Sequence, residues 1–131
     1  MSLCIADSLL LNNRKYDGKD LRHRFHHWWY SAYNNGKKND KDENGWKSFG
    51  IGRALRKSIK ELIKDPSERV SGCDGEGQDN GNGSIMRIVA IPIAFKNDLE
   101  ACLKYAKEQS YCTHNGDEAA ECSKLLAYVC W

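Results

Sequence analysis

With 131 residues, 40% hydrophobic and 29% charged, the chain has room for one domain and a composition that excludes disordered and fibrous classes. No apolar run approaches the length of a membrane span, and Met1 to Asp7 has an early acid and no basic stretch, unlike a secretory signal. The net charge of +2 conceals a division, because residues 1–64 carry 14 basic and 7 acidic side chains and residues 65–131 carry 6 and 11.

The first predicted element is a short amphipathic helix starting almost at Met1, with Leu3, Ile5, Ala6, Leu9 and Leu10 as its apolar positions. It opens without a capping residue. A turn through Asn12-Asn13 and Asp17-Gly18 leads to a second helix, which Asp20 is expected to cap, with Leu21, Phe25, Trp28 or Trp29, and Ala32 inward. Asn34-Asn35-Gly36 ends it. Residues 37–47 are a polar connection. Within it Asp40, Asp42, Asn44 and Gly45 match the first half of a calcium loop, but the position that needs a bidentate acid falls on Ile51. We read this stretch as a solvated turn.

A third helix is expected from Gly52 to Lys64, with Leu55, Ile59, Leu62 and Ile63 buried. Arg53, Arg56, Lys57, Lys60 and Lys64 form a basic stripe along it, which could grip the phosphates of a nucleic acid or simply be its wet face. The second of these is preferred. Asp65-Pro66 stops the helix. A glycine-rich loop then runs through Gly72, Gly75, Gly77, Gly81 and Gly83 into the apolar run Ile85 to Phe95. Local propensity in that run leans towards a buried strand, although length and periodicity leave helix open. If it is helical, Asn82 or Ser84 can cap it. Asp98 is expected to cap a further helix with Leu99, Cys102, Leu103 and Ala106 on one face. Asn115 and Glu118 suggest a capping arrangement for the last, whose apolar face is Ala119, Cys122, Leu126 and Cys130.

Six cysteines, none in a C-x-x-C pair, read as reduced thiols rather than a disulfide or zinc framework. Their reduced state, with no recognisable export signal, places the protein in the cytoplasm as an expectation. His23, His26 and His27 cluster on one helix without a third metal ligand of suitable spacing, and are read as a partly exposed face. A Cys112–His114 nucleophile pair lacks support, because neighbours on a turn need not meet in hydrogen-bond geometry. The glycine loop is more informative. Free backbone amides of such a loop make an anion-binding concavity, and a following helix N-terminus adds to it. His114, in a turn before a helix, offers a second approach to the same ligand. Two helix N-termini converging on one group would suit a diphosphate.

Gly81-Asn82-Gly83-Ser84-Ile85-Met86-Arg87-Ile88, followed by Ile91-Pro92, closely resembles the signature of the ADP-ribosylglycohydrolase family. The resemblance runs in order through Met1 to Leu11, Leu21 to Trp28, Phe49-Gly50-Ile51-Gly52 to Leu55, and Thr113-His114 with Ala119 after it. It implies an all-α, compact orthogonal helical domain and a substrate containing ADP-ribose, either an ADP-ribosylated protein or a small molecule. In such enzymes magnesium held by carboxylates assists the attack of water at the ribose anomeric carbon. Carried over by position, Asn82, Gly83 and Ser84 would lie against the ADP-ribose, and His114 would contact its phosphate or ribose region. Met86 and Arg87 would anchor the helix.

The family's Thr-Asp-Asp motif, expected just before Met1, and its C-terminal metal motif, expected after Trp131, are not in the chain. Asp74, Glu76 and Asp79 are read as loop solvation and not as substitutes. Residues 1–131 are therefore expected to be a partial domain, incomplete at both ends, that carries part of a ligand cradle and holds no metal alone. The alternative is a non-catalytic module that binds ADP-ribose or a nucleotide. Membrane association is not expected, and nucleic-acid binding ranks lowest.

Overall fold

The computed structural model describes residues 1–35, 50–66 and 81–131. Among these the chain is all helical: α1 Ser2–Leu11, α2 Gly18–Tyr30, α3 Arg53–Lys64, a 3₁₀ turn Ile85–Arg87, α4 Ala90–Ala94, α5 Leu99–Tyr111 and α6 Asp117–Cys130. The calcium-loop half-match, most of the glycine-rich loop, its three carboxylates and Cys73 lie outside the described residues. No helix among the described residues is long and apolar enough to cross a membrane.

The caps explain where several helices begin. Asp17, not Asp20, caps α2: its Oδ1 accepts from the backbone N–H of Lys19 at 2.9 Å and of Asp20 at 3.1 Å. Asp17 can do so because its own backbone is extended, as an N-cap requires. Asp20 is then one turn inside, where its carboxylate receives Arg24 Nε at 2.7 Å and Asn12 Nδ2 at 3.2 Å. Asp98 caps α5 as its sequence position suggests, accepting from Ala101 N–H at 3.0 Å. Before α6 the N-cap position falls on Gly116 and not on the expected Asn115, and a glycine has no side chain with which to cap.

The apolar run after the glycine loop folds as helical turns, not as a strand. Ile88, Ile91 and Phe95 are buried whereas Val89 and Ile93 are exposed, the spacing of a helix face. Pro92 decides the matter locally. It falls in the first turn of α4, where a missing N–H costs nothing, whereas a central strand would lose a ladder bond there.

The core gathers Ile5 and Leu9 of α1, Leu21 and Phe25 of α2, Leu55 and Ile59 of α3, Ile88, Ile91 and Phe95, and Cys102 and Ala106 of α5. Fully burying a side chain such as Leu21 or Ile91 contributes about 1.5–3 kcal/mol. On α3 the expected buried face holds except at Ile63, which is 54% exposed. It sits beyond the edge of the stripe that meets α2, whose place Ala54 and Ser58 take instead.

The most extensive helix contact joins α5 and α6. Here the expected α6 face is wrong by about one position. Ala119, Ala120, Ser123 and Ala127 are buried, and Cys122 and Cys130 are exposed. The small side chains let the two backbones approach closely, so steric fit selects that face over the more apolar one carrying Leu125 and Val129. The thiols test this directly. Under native conditions Cys122 and Cys130 are expected to be alkylated rapidly, and Cys4, Cys102 and Cys112 only on unfolding. Peptide mass spectrometry after a timed alkylation reads the pattern. Burial also pushes the Cys4, Cys102 and Cys112 thiols up, reducing the reactive thiolate. Equal labelling of Cys102 and Cys122 would show that α5 and α6 do not pack this way.

Candidate functional site

A cavity of about 460 Å³ opens where α1, α2, α3 and the end of the glycine loop meet. Its wall takes Met1 and Ser2 from the start of α1, Trp28 from α2, and Gly50 with Gly52 to Leu55 from the entry to α3. Gly81, Asn82 and Gly83 complete it from the loop, with Met86, Arg87 and His114.

Two glycines are required by the geometry. Gly50 has φ +68°, a left-handed conformation that turns the chain into α3 and that a side chain would strain. Gly83 lies so close to the imidazole that a Cβ there would stand 2.9 Å from His114 Cε1 and Nε2. At Gly81 the corresponding approach is 3.7 Å, an ordinary contact. The loop backbone therefore packs against the Nε2 end of the His114 ring, where only glycine fits at position 83.

Of the residues singled out from sequence, Asn82, Gly83 and His114 come together on this cavity and Ser84 stands behind it. Asn82 is exposed at the wall. Ser84 is fully buried: its Oγ accepts from Ser110 Oγ at 2.9 Å and meets Ser123 Oγ at 3.1 Å, while Ser123 donates to Ala119 O at 2.9 Å. Gln109 Nε2 donates to Ser84 O at 3.1 Å. Ser84 thus ties the loop to α5 and α6. Met86 is 74% exposed at the cavity and Arg87 is buried, so of that pair only Arg87 serves as an anchor.

Arg87 carries the electrostatics of the site. Its Nε donates to Gln109 Oε1 at 2.7 Å, and its Nη2 donates to Gln109 O at 2.7 Å and to Thr113 Oγ1 at 2.8 Å. The guanidinium lies 4.3 Å from the centre of the Phe25 ring. These partners are neutral acceptors and a π-face, so burial lowers its pKa to about 10, which still leaves it protonated at neutral pH. The cavity therefore has a buried positive charge in its wall. Arg53 adds a second basic side chain, and α3 opens onto the cavity with an N-terminus that no side chain among the described residues caps. The sequence suggested that the helix after His114 would supply this second N-terminus. Its residues do not line the cavity, and α3 takes that place.

Trp28 and Arg53 were legible only as a core aromatic and as one member of a surface stripe. Their joint place in the wall had one local signal, the pair Gly50 and Gly52 immediately before a helix. The other basic residues of the stripe, Arg56, Lys57, Lys60 and Lys64, are exposed and away from the cavity.

The remaining candidates do not join the site. Cys112 is fully buried against Tyr16, whose hydroxyl lies 2.8 Å from its Sγ, and burial raises its pKa, so it offers His114 no reactive thiolate. His23 Nε2 lies 3.3 Å from Pro66 O, and the His26 ring packs 4.7 Å from that of Tyr30. Among the described residues no group of three or more His, Cys, Asp or Glu side chains could hold a metal ion. The described residues of the cavity wall include no carboxylate and two guanidinium groups, a donor set that by itself does not fit magnesium.

Comparison with known proteins follows the same lines. A family model described as ADP-ribosylglycohydrolase matches residues 1–131. The chain is 30% identical over 127 residues to an ADP-ribosylarginine hydrolase, Tri1, of Pseudomonas putida (strain GB-1). That match covers 97% of this chain and 31% of the relative's length. No solved structure matches the chain.

Proposed function

The chain belongs to the ADP-ribosylglycohydrolase family, and from that premise we propose that its cavity receives the ADP-ribose part of an ADP-ribosylated substrate. In this reading residues 1–131 are a partial domain, and the intact domain hydrolyses ADP-ribosyl linkages on proteins or small acceptors. One observation carries it: the family-signature residues Asn82 and Gly83 share a cavity with His114, the buried Arg87 charge and the uncapped start of α3. A diphosphate is the part of ADP-ribose that such a wall attracts, through long-range charge and backbone amides together. Asn82, Gly83 and His114 would touch the ligand, and Ser84 would hold the loop behind them.

Magnesium is expected for the intact domain, where carboxylates outside this wall would hold it. When bound, it would supply Lewis acidity and orient water at the anomeric carbon. The residues of this chain bind and orient, and no chemical step is assigned to them. A second reading, in which the chain binds ADP-ribose without cleaving it, is supported by the basic and glycine-rich character of the described wall. Read as reduced thiols with no C-x-x-C pair among them, the cysteines suit a reducing, cytoplasmic setting.

Calorimetry with ADP-ribose tests the binding proposal. Wild-type protein is expected to bind with a dissociation constant below about 1 mM. Asn82→Ala and His114→Ala are expected to weaken binding at least about tenfold, or roughly 1.4 kcal/mol. No binding in the millimolar range would remove the proposal. Incubation with ADP-ribosylarginine and magnesium separates the two readings. We expect no release of ADP-ribose, and release would assign hydrolysis to the chain as it stands.

A further inference from the structure

Thr113 Oγ1 lies between two neighbours of different kinds. On one side Arg87 Nη2 donates to it across 2.8 Å, and a guanidinium has no lone pair with which to accept in return. On the other side His114 Nδ1 stands 2.7 Å away. Thr113 is 1% exposed, so its hydroxyl proton cannot turn to solvent. Among the described residues His114 Nδ1 is the acceptor that this proton can reach. If Nδ1 carried a hydrogen, two donors would converge on one hydroxyl oxygen and the hydroxyl's own proton would be stranded in the interior, which native structures avoid. Arg87 cannot swing away to relieve this, because Gln109 holds its Nε and Nη2 at 2.7 Å each.

We propose that Arg87 and Thr113 are positioning residues that hold His114 as the neutral tautomer with its hydrogen on Nε2, the ring nitrogen that stands against the glycine loop. The placement of Nε2 follows from its contacts with the loop, since a Cβ on Gly83 would stand 2.9 Å from it and one on Gly81 3.7 Å. The buried guanidinium acts through the threonine, orienting the hydroxyl so that only one imidazole nitrogen can carry the proton. A contribution of His114 to ligand affinity rests on the ADP-ribose reading of the site, whereas the tautomer does not.

Long-range proton–nitrogen correlation spectra of the full chain, labelled with ¹⁵N-histidine at neutral pH, read the tautomer directly. His114→Gln identifies the signals by their loss. The wild type is expected to show His114 protonated at Nε2 and unprotonated at Nδ1. Thr113→Val is expected to lose this preference and populate the other tautomer, and Thr113→Ser to restore it. A hydrogen on Nδ1 in the wild type, or an unchanged pattern in Thr113→Val, would overturn the proposal. If Thr113→Val does not fold, Thr113→Ala makes the same comparison. In calorimetry with ADP-ribose, Thr113→Val is expected to weaken binding about tenfold and Thr113→Ser less than about threefold. If the wild type shows the Nε2 pattern but binds no ADP-ribose, the ligand reading fails and the positioning stands.

Discussion

Replacing Arg87 with methionine is expected to lower the stability of the protein by about 3 kcal/mol or more, because it strands several acceptors in the interior. Gln109 Oε1, Gln109 O and Thr113 Oγ1 all receive hydrogen bonds from this one side chain. Each acceptor left unsatisfied costs about 1–3 kcal/mol, and removing a buried charge that has no acidic partner offsets part of the sum. Small domains have only about 5–15 kcal/mol of stability, so the loss would be a large fraction of the whole. Arg87→Lys should recover part of it. A single ammonium cannot reach the side-chain and backbone oxygens of Gln109 together with Thr113 in the fixed fork that a guanidinium provides. Urea unfolding of the three proteins measures the order, wild type above Arg87→Lys above Arg87→Met. A methionine variant within about 0.5 kcal/mol of wild type would mean that Arg87 does not hold the loop to α5.

Gly83→Ala is the second large effect, and it should fall mainly on the ligand. The added Cβ would meet His114 Cε1 and Nε2 at 2.9 Å, so something must move. The ring is 4% exposed and bonded through Nδ1 to Thr113 at 2.7 Å, which makes its displacement costly. Overpacking of this kind costs about 1–3 kcal/mol, divided between a shifted ring and a shifted loop. Either movement changes the cavity wall at the place proposed to meet ADP-ribose. Affinity is expected to fall by at least about thirtyfold, roughly 2 kcal/mol. Gly81→Ala is the internal control, because its Cβ would make only a 3.7 Å contact with the same ring. Calorimetry on the pair gives the comparison. Equal affinities for wild type and Gly83→Ala would remove the His114 face of the loop from the binding site.

Arg87 and Gly83 show how unevenly the site could be read from the chain. Gly81 to Arg87 is a local signature, and its residue types point to close backbone approach and an anchored turn. Nothing local says that Arg87 turns inward to Gln109 and Thr113, residues more than twenty positions away. Nor does the signature separate Asn82, which reaches the cavity, from Ser84, which bonds Ser110 and Ser123 behind it. The two are neighbours but one glycine apart, and the turn sends their side chains to opposite sides. Arg53 and Trp28 come to the cavity from two other elements; Gly50 and Gly52 hint at a close approach before α3, but no spacing joins either residue to Gly83 and His114.

The sequence by itself determined the helical class, the cap at Asp98 and the general extent of α1, α2, α3, α5 and α6, because periodicity and capping act over a few neighbouring residues. It also suggested that the glycine turn and His114 would approach one ligand, and in the structure the two pack against each other. The tertiary structure decided which face of each helix is buried. On α6 the small residues Ala119, Ala120, Ser123 and Ala127 win over the more apolar Leu125 and Val129, because burial depends on how closely the partner helix can approach. It also decided the helical form of the run after the glycine loop, where packing of Ile88, Ile91 and Phe95 outweighs β-propensity. The cavity is the clearest case. Its charge, its open helix start and its imidazole are brought to one wall by packing alone, since each lies on a segment whose local physics says nothing about the others.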